Sequence, residues 1–319
     1  MKLASYRDGS RDGQLVVVSR DLATAHYATG IATRLQQVLD DWNFLSPQLQ
    51  ELSRALDQGR ARHAFAFDPA QCEAPLPRAF QWADGPTLCQ RPGDALLGAR
   101  DPLLVTSEAL ELDFEAGLAV ITGDVPQAAS PGAALEGVRL VMLVNGWRLR
   151  AEGAGHPPGA FAPVAVTPDE LGPAWHGGRV RLNIEVAWNG KRVGLCDAAE
   201  GMPAPFGELV AKLARTRAAR AGSIVGSGPL TSDPSRGFAA VVHRRADETR
   251  DGGDAKTPFL KVGDSLRLDM KGADGHSVFG SIDQDVQAWG DEPEIRRGAA
   301  RGVVEVPIPL PDDEDPTDA

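Results

Sequence analysis

After residue 101 the sequence is built almost wholly from short apolar runs cut apart by turn residues, and this pattern constrains the fold more than any other feature. The runs are Leu112–Thr122, Val138–Val144, Ala162–Val166, Val180–Trp188, Ser223–Gly226, Phe238–His243, Ser265–Met270 and Ser277–Asp283. Each is rich in branched apolar residues and bounded by Gly, Pro, Asn or Asp, as strands are. Asn189-Gly190 is a two-residue hairpin signal, and Asp274-Gly275 plays the same part before His276. One helical stripe stands out, from Phe206 to about Ala221, with Phe206, Leu209, Val210 and Leu213 on its apolar face. Lys212, Arg215, Arg217 and Arg220 would favour the negative end of its dipole. Strands that do not alternate with helices exclude a regular doubly wound parallel sheet. The expected class is therefore α+β and β-dominated.

The first part reads as a small β/α unit. Gln14–Ser19 is a β-type run, and Ile31, Leu35, Val38, Leu39 and Trp42 share a helical stripe. A second helix is expected with Ser46 as N-cap, Pro47 at the first helical position and Gly59 as the closing cap. Residues 68–101 are rich in Pro, Gly and Ala, which places a boundary near Pro75. The expected organisation is a small N-terminal domain over 1–75, a larger domain over 76–290, and an acidic flexible tail over 291–319.

A formal net charge of -11 repels phosphate backbones, so nucleic acid is excluded as a partner class. Three scattered cysteines, Cys72, Cys89 and Cys196, give no disulfide framework and no CxxC zinc spacing. They suit a reducing, cytoplasmic location. The N-terminus carries no apolar signal region, and no apolar run is long enough to span a bilayer.

Several stretches in order resemble the fumarylacetoacetate hydrolase family. They are Leu76–Gly85 (LPRAFQWADG), Asp113-Phe114-Glu115-Ala116 running into Leu118–Pro126, Val141–Asn145, Phe161–Leu171, Arg220–Gly228 and Thr257–Asp264. The resemblance covers residues 1 to about 287. It implies a mixed β-sheet or β-roll catalytic domain behind a small N-terminal domain, and in most members a homodimer. The chemistry it implies is metal-assisted hydrolysis of a carbon–carbon bond in an acylpyruvate, or a related reaction of a 2-oxo acid. Mg²⁺ or Mn²⁺ would chelate the oxo-acid oxygens and act as a Lewis acid.

The chain departs from that pattern at the site itself. The family's Glu-x-Glu would put two carboxylates on one strand face; here Glu115 is followed two places on by Gly117. The family's Asn-Asp is Asn145-Gly146. The basic loop is shortened to Ala154–Ala160 and has no Lys, and a family Thr is Pro229. The lid helix with its catalytic His is absent after Asp84-Gly85, since no histidine lies between His63 and His156. With Gly117 and Gly146 at ligand positions and Glu115 alone retained, no metal and no cofactor is expected.

Candidate groups remain. Glu115, His156 and Asp94 are candidate catalytic residues, and Trp147, Arg148 and Arg150 candidate substrate-binding residues for a small oxo acid. Each has a plainer reading: His156 as a solvated loop residue, Trp147 as a cavity filler. Asp113 and Glu111 share the strand face of Glu115, either as a shifted metal site or, the favoured reading, as a solvated strand entrance. Ser223 and Ser227 lie outside any GxSxG elbow and read as part of a tight turn. Three functions stay open: a family member without hydrolytic activity, alone or as the partner of an active paralogue; an enzyme with metal-independent chemistry on a small 2-oxo acid; or a Mg- or Mn-dependent hydrolase with ligands displaced to Asp94, Asp113 and Glu115.

Overall fold

The computed structural model describes residues 1–151, 155–250 and 252–290. The expected tail over 291–319 and the first residue of the shortened loop, Ala154, lie outside the described residues.

The centre of the fold is an antiparallel pair, Ala116–Thr122 against Val138–Asn145, in which Gly117 faces Val144 and Ala116 faces Asn145. Its residues alternate between two cores, as the two-residue period of a strand requires. Leu118, Val120, Val141 and Leu143 face one core, and Ala119, Ile121, Leu140, Met142 and Val144 face the other. Both faces are covered, so the two strands are apolar along nearly their whole length rather than alternating with polar residues.

Around this pair runs an eleven-stranded sheet. On one side Ala165–Val166 carries the sheet through Lys2–Tyr6, Gln14–Val18 and Thr24–Tyr27 to Phe65–Ala66. On the other side Ile224–Gly226 pairs antiparallel with Ala116–Thr122 and parallel with Trp82–Asp84, which turns back into Cys89–Arg91. The N-terminal strands therefore continue the large sheet across residue 75. A five-stranded sheet, in the order Lys191–Asp197, Asn183–Trp188, Ser265–Met270, Ile282–Ala288 and Leu103–Val105, packs on the first core. The helices Leu35–Asp40 and Trp42–Asp57 cover the second through Leu35, Val38, Leu39, Leu49 and Leu56. No helix among the described residues is long and apolar enough to cross a membrane.

Most of the expected strands are present, and the Asn189-Gly190 hairpin forms with both residues at positive φ, as its turn type needs. Several local expectations are corrected, among them the strand expected over Ser277–Asp283, which runs instead over Ile282–Ala288. The second helix starts at Trp42, and Pro47 lies inside it. The helix from Phe206 ends at Leu213 rather than near Ala221; the chain then turns so that Ala219 bridges Val125 and the Ala221 N–H reaches Asp124 Oδ1 at 3.1 Å. The Leu112–Thr122 run is broken into Leu112–Asp113 and Ala116–Thr122, with Glu115 in an isolated bridge to Ala240. The run expected as a strand over Phe238–His243 instead opens the helix Val241–Arg250. Its start is fixed by a distant carboxylate: Asp113 Oδ1 accepts from Val241 N at 2.7 Å, and Oδ2 from Val242 N at 3.2 Å. Free N–H groups at a helix start favour an anion there, and periodicity in 238–243 contains no trace of it.

Candidate functional site

At one end of the central pair the apolar run gives way to ionisable groups. Asp84, Arg91, Asp113 and Glu115 are all buried, with Asp113 wholly inaccessible. Asp84 ends one strand of the Trp82–Asp84/Cys89–Arg91 hairpin and Arg91 ends the other. The short connection at Gly85, φ +69°, folds Arg91 back toward the carboxylates.

The Arg91 guanidinium is the hub. Its Nε and Nη2 donate to Asp84 Oδ2 at 3.1 and 3.0 Å. Nη2 also donates to Glu115 Oε2. Nη1 donates to the Trp147 carbonyl at 3.0 Å and to His156 Nδ1 at 2.8 Å. The planar fork has five N–H groups, and these contacts use them all. A second arginine, Arg150, closes the outer side, with Nε on Asp113 Oδ2 at 2.9 Å and Nη2 on Glu115 Oε1 at 2.7 Å.

Three carboxylates and two guanidiniums leave the cluster one positive charge short. Backbone donors help: Gly228 N–H to Asp84 Oδ1 at 2.9 Å, and Val241 and Val242 on Asp113. Even so, burial pushes the Asp84 and Asp113 carboxyls above the usual carboxylate range, against the pull of Arg91 and Arg150 respectively. His156 goes the other way. Burial first, then the charges of Arg91 and Arg148, lowers it from 6.5 to about 4. Because Arg91 can only donate, Nδ1 must accept, and the ring proton sits on Nε2, 3.5 Å from Cys89 Sγ.

The structure places the expected residues as follows. Glu115 and His156 do meet, but only through Arg91. Arg150 is an internal ion-pair partner and not a free anion receptor. Trp147 is fully buried, its Nε1 donating to Gln284 Oε1 at 3.0 Å. Arg148 is half-buried, paired across from Asp113 in a two-residue ladder. Asp94 is exposed and lines a separate groove with Asp12, Arg78 and Phe80. Asp113 is not a solvated strand entrance, and Glu111, exposed at φ +56°, does not continue its strand. Ser227 extends the sheet, its N–H donating to Leu118 O at 2.8 Å and its Oγ accepting from Leu118 N at 3.1 Å.

The two glycines at the departures are held in place by their neighbours. A Cβ on Gly117 would lie 2.4 Å from Gly228 O and 2.9 Å from Ser227 Oγ. A Cβ on Gly146 would lie 2.8 Å from Arg91 Nη2. Arg91 and Asp84 were the site residues that sequence reasoning missed. No local signal marks Arg91 as buried, since arginine is mostly exposed and its pairing opposite Trp82 is visible only in the fold.

The sequence profile described as "Fumarylacetoacetase N-terminal domain 2" matches residues 1–78, and that described as "Fumarylacetoacetate (FAA) hydrolase C-terminal" matches residues 59–287. No curated protein matches the sequence. Among solved structures, the maleylpyruvate hydrolase from Sphingobium sp. SYK-6, in complex with manganese(II) ion and pyruvate, is 17% identical, with a TM-score of 0.64 over 90% of this chain and 99% of its own. A probable 2-hydroxyhepta-2,4-diene-1,7-dioate isomerase from Mycobacterium abscessus is 18% identical, with a TM-score of 0.63 over 92% and 99%. The fumarylacetoacetate hydrolase of the psychrophile Exiguobacterium antarcticum is 16% identical, with a TM-score of 0.59 over 90% and 99%. At these identities the likeness is one of fold.

Proposed function

The chain belongs to the fumarylacetoacetate hydrolase family, and on that premise we propose that it keeps the family's fold without its metal-dependent carbon–carbon bond hydrolysis. The family implies a divalent ion, and the residues present do not fit one. Gly117 and Gly146 offer no ligand where the family has carboxylates. Both oxygens of the retained Glu115 are taken by arginines. Among the described residues no three His, Cys, Asp or Glu side chains are spaced to hold an ion.

The observation that carries the reading is the burial of the cluster together with its saturation. A hydrolase needs carboxylates that can turn to an ion, a water or a substrate. Here every carboxylate is buried and committed to an arginine or a backbone N–H. Such a chain acts by binding, as a homodimer or as the inactive partner of an active paralogue.

The test is direct. The purified protein is dialysed against MnCl₂, analysed for bound metal, and assayed with an acylpyruvate such as maleylpyruvate. The expected result is less than stoichiometric manganese and no turnover above the buffer rate. Stoichiometric metal with turnover would restore the displaced-ligand hydrolase. Turnover without metal that is lost in both Glu115→Gln and His156→Ala would instead support metal-independent chemistry on an oxo acid. His156 is poorly placed for that chemistry, because Arg91 occupies Nδ1 and the ring gains a proton only near pH 4.

A further inference from the structure

We propose that the Arg91 guanidinium is the resident cation of this site, standing where a divalent ion would otherwise gather the same acceptors, and that the site accepts a divalent ion once the Arg91 side chain is removed. This deepens the reading of a non-hydrolysing family member and depends on it.

The acceptors around Arg91 are two carboxylate oxygens, Asp84 Oδ2 and Glu115 Oε2, one carbonyl, Trp147 O, and one imidazole nitrogen, His156 Nδ1. All four converge on one buried centre and none of them can donate toward it: the carboxylates and the carbonyl are acceptors, and Nδ1 is the unprotonated nitrogen of its ring. Carboxylate, carbonyl and imidazole are also the donor types that Mn²⁺ and similar ions take. Their spacing is set by the guanidinium, with the quoted Arg91 contacts to Asp84, Trp147 and His156 at 2.8–3.1 Å. Hard divalent ions sit closer to oxygen, at about 2.0–2.1 Å for Mg²⁺ and about 2.3–2.6 Å for Ca²⁺. An ion in place of Arg91 would therefore have to draw the acceptors inward.

A second observation locates the exchange independently. Position 146 is where the family resemblance expects an acidic ligand, and a Cβ there would touch the same atom, Arg91 Nη2, that contacts Glu115. The guanidinium thus lies between the retained ligand, Glu115, and the vacated one. Arg91 cannot swing away to make room, because its side chain is 2% exposed and all its donors are engaged. An acid at 146 and an arginine at 91 are alternatives for one volume and one charge.

The experiment uses the full chain in four forms: wild type, Arg91→Ala, Gly146→Asp, and the double variant. Thermal midpoints and isothermal titration are measured with MnCl₂ as the only probe. Removing one partner of a buried ion cluster is expected to lower the midpoint of Arg91→Ala by about 10 °C. Manganese at 100 times its Kd should recover roughly half of that loss, with one ion bound per chain, and leave the wild-type midpoint unmoved. Gly146→Asp should lower the wild-type midpoint yet be tolerated beside Arg91→Ala, where it tightens manganese binding at least tenfold. Should Arg91→Ala alone fail to fold, the double variant purified in manganese supplies the same measurement. Folded variants that bind no manganese overturn the inference and leave the non-hydrolysing reading standing, as does failure of both Arg91→Ala forms to fold with manganese present. Stoichiometric manganese on the wild type overturns both.

Discussion

Two arginines flanking the Trp82–Asp84 strand make opposite kinds of ion pair. Arg78 meets Asp12 with an ideal fork, Nε to Oδ1 at 2.8 Å and Nη2 to Oδ2 at 2.6 Å, at a surface where both side chains are well exposed. Arg91 meets Asp84 less tidily, with Nε and Nη2 converging on a single oxygen, in a place sealed from water. The better geometry belongs to the weaker contributor. Water already solvates the Arg78 pair, so joining it gains little. The Arg91 cluster is fixed by what the loss of Arg91 would leave unpaired: two carboxylates, Asp84 and Glu115, in the interior of the protein. The titration directions agree, since Arg78 holds Asp12 below the usual carboxylate range while burial pushes Asp84 above it.

The comparison can be broken most forcefully at Arg91. Arg91→Met keeps the bulk and removes the charge, and should cost about 3–5 kcal/mol in chemical denaturation; a loss under 1 kcal/mol would mean that the cluster is solvated after all. Next in size is Gly117→Ala, whose new methyl group meets the Gly228 carbonyl at 2.4 Å. It should cost about 1–3 kcal/mol from overpacking, with no change in the ion cluster as judged by the pH profile. Smaller still is the pH response of His156. Its folded pKa, about 4, lies below its ordinary 6.5. The unfolded chain therefore takes up the proton first, and stability is lost as pH falls through that window. Asp84 and Asp113, with raised folded pKa values, act in the opposite sense and lose stability as pH rises through their raised range. The difference between wild type and His156→Gln isolates the histidine: the variant's midpoint should fall less between pH 6.5 and pH 4. Smallest is Arg78→Met, expected within about 1 kcal/mol of wild type and less sensitive to pH than Arg91→Met.

What the sequence made legible divides along the same line. The strands Val138–Asn145 and Ser265–Met270 and the hairpin at Asn189-Gly190 were readable because neighbours in sequence decide them. The helix Val241–Arg250 was misread as a strand because its opening, Phe238 to Val242, is apolar and β-branched, while its start depends on a carboxylate 128 residues away. The departures at Gly117 and Gly146 were visible as departures. What filled them was not: Gly228 arrives from a different strand, and Arg91 sits unremarked between Gln90 and Pro92. Asp113 was read as solvated because acids usually are, and nothing local marks the arginine and helix start that bury it.

The contact between position 146 and Arg91 also couples the two positions to each other. While Arg91 stays, an acid at 146 collides with a pinned guanidinium; while 146 is glycine, losing Arg91 strands buried carboxylates. Each single change is worse than the present state, so the two positions can only change together. The two positions work as an interlock: neither side chain can change alone without cost, because each is the other's neighbour.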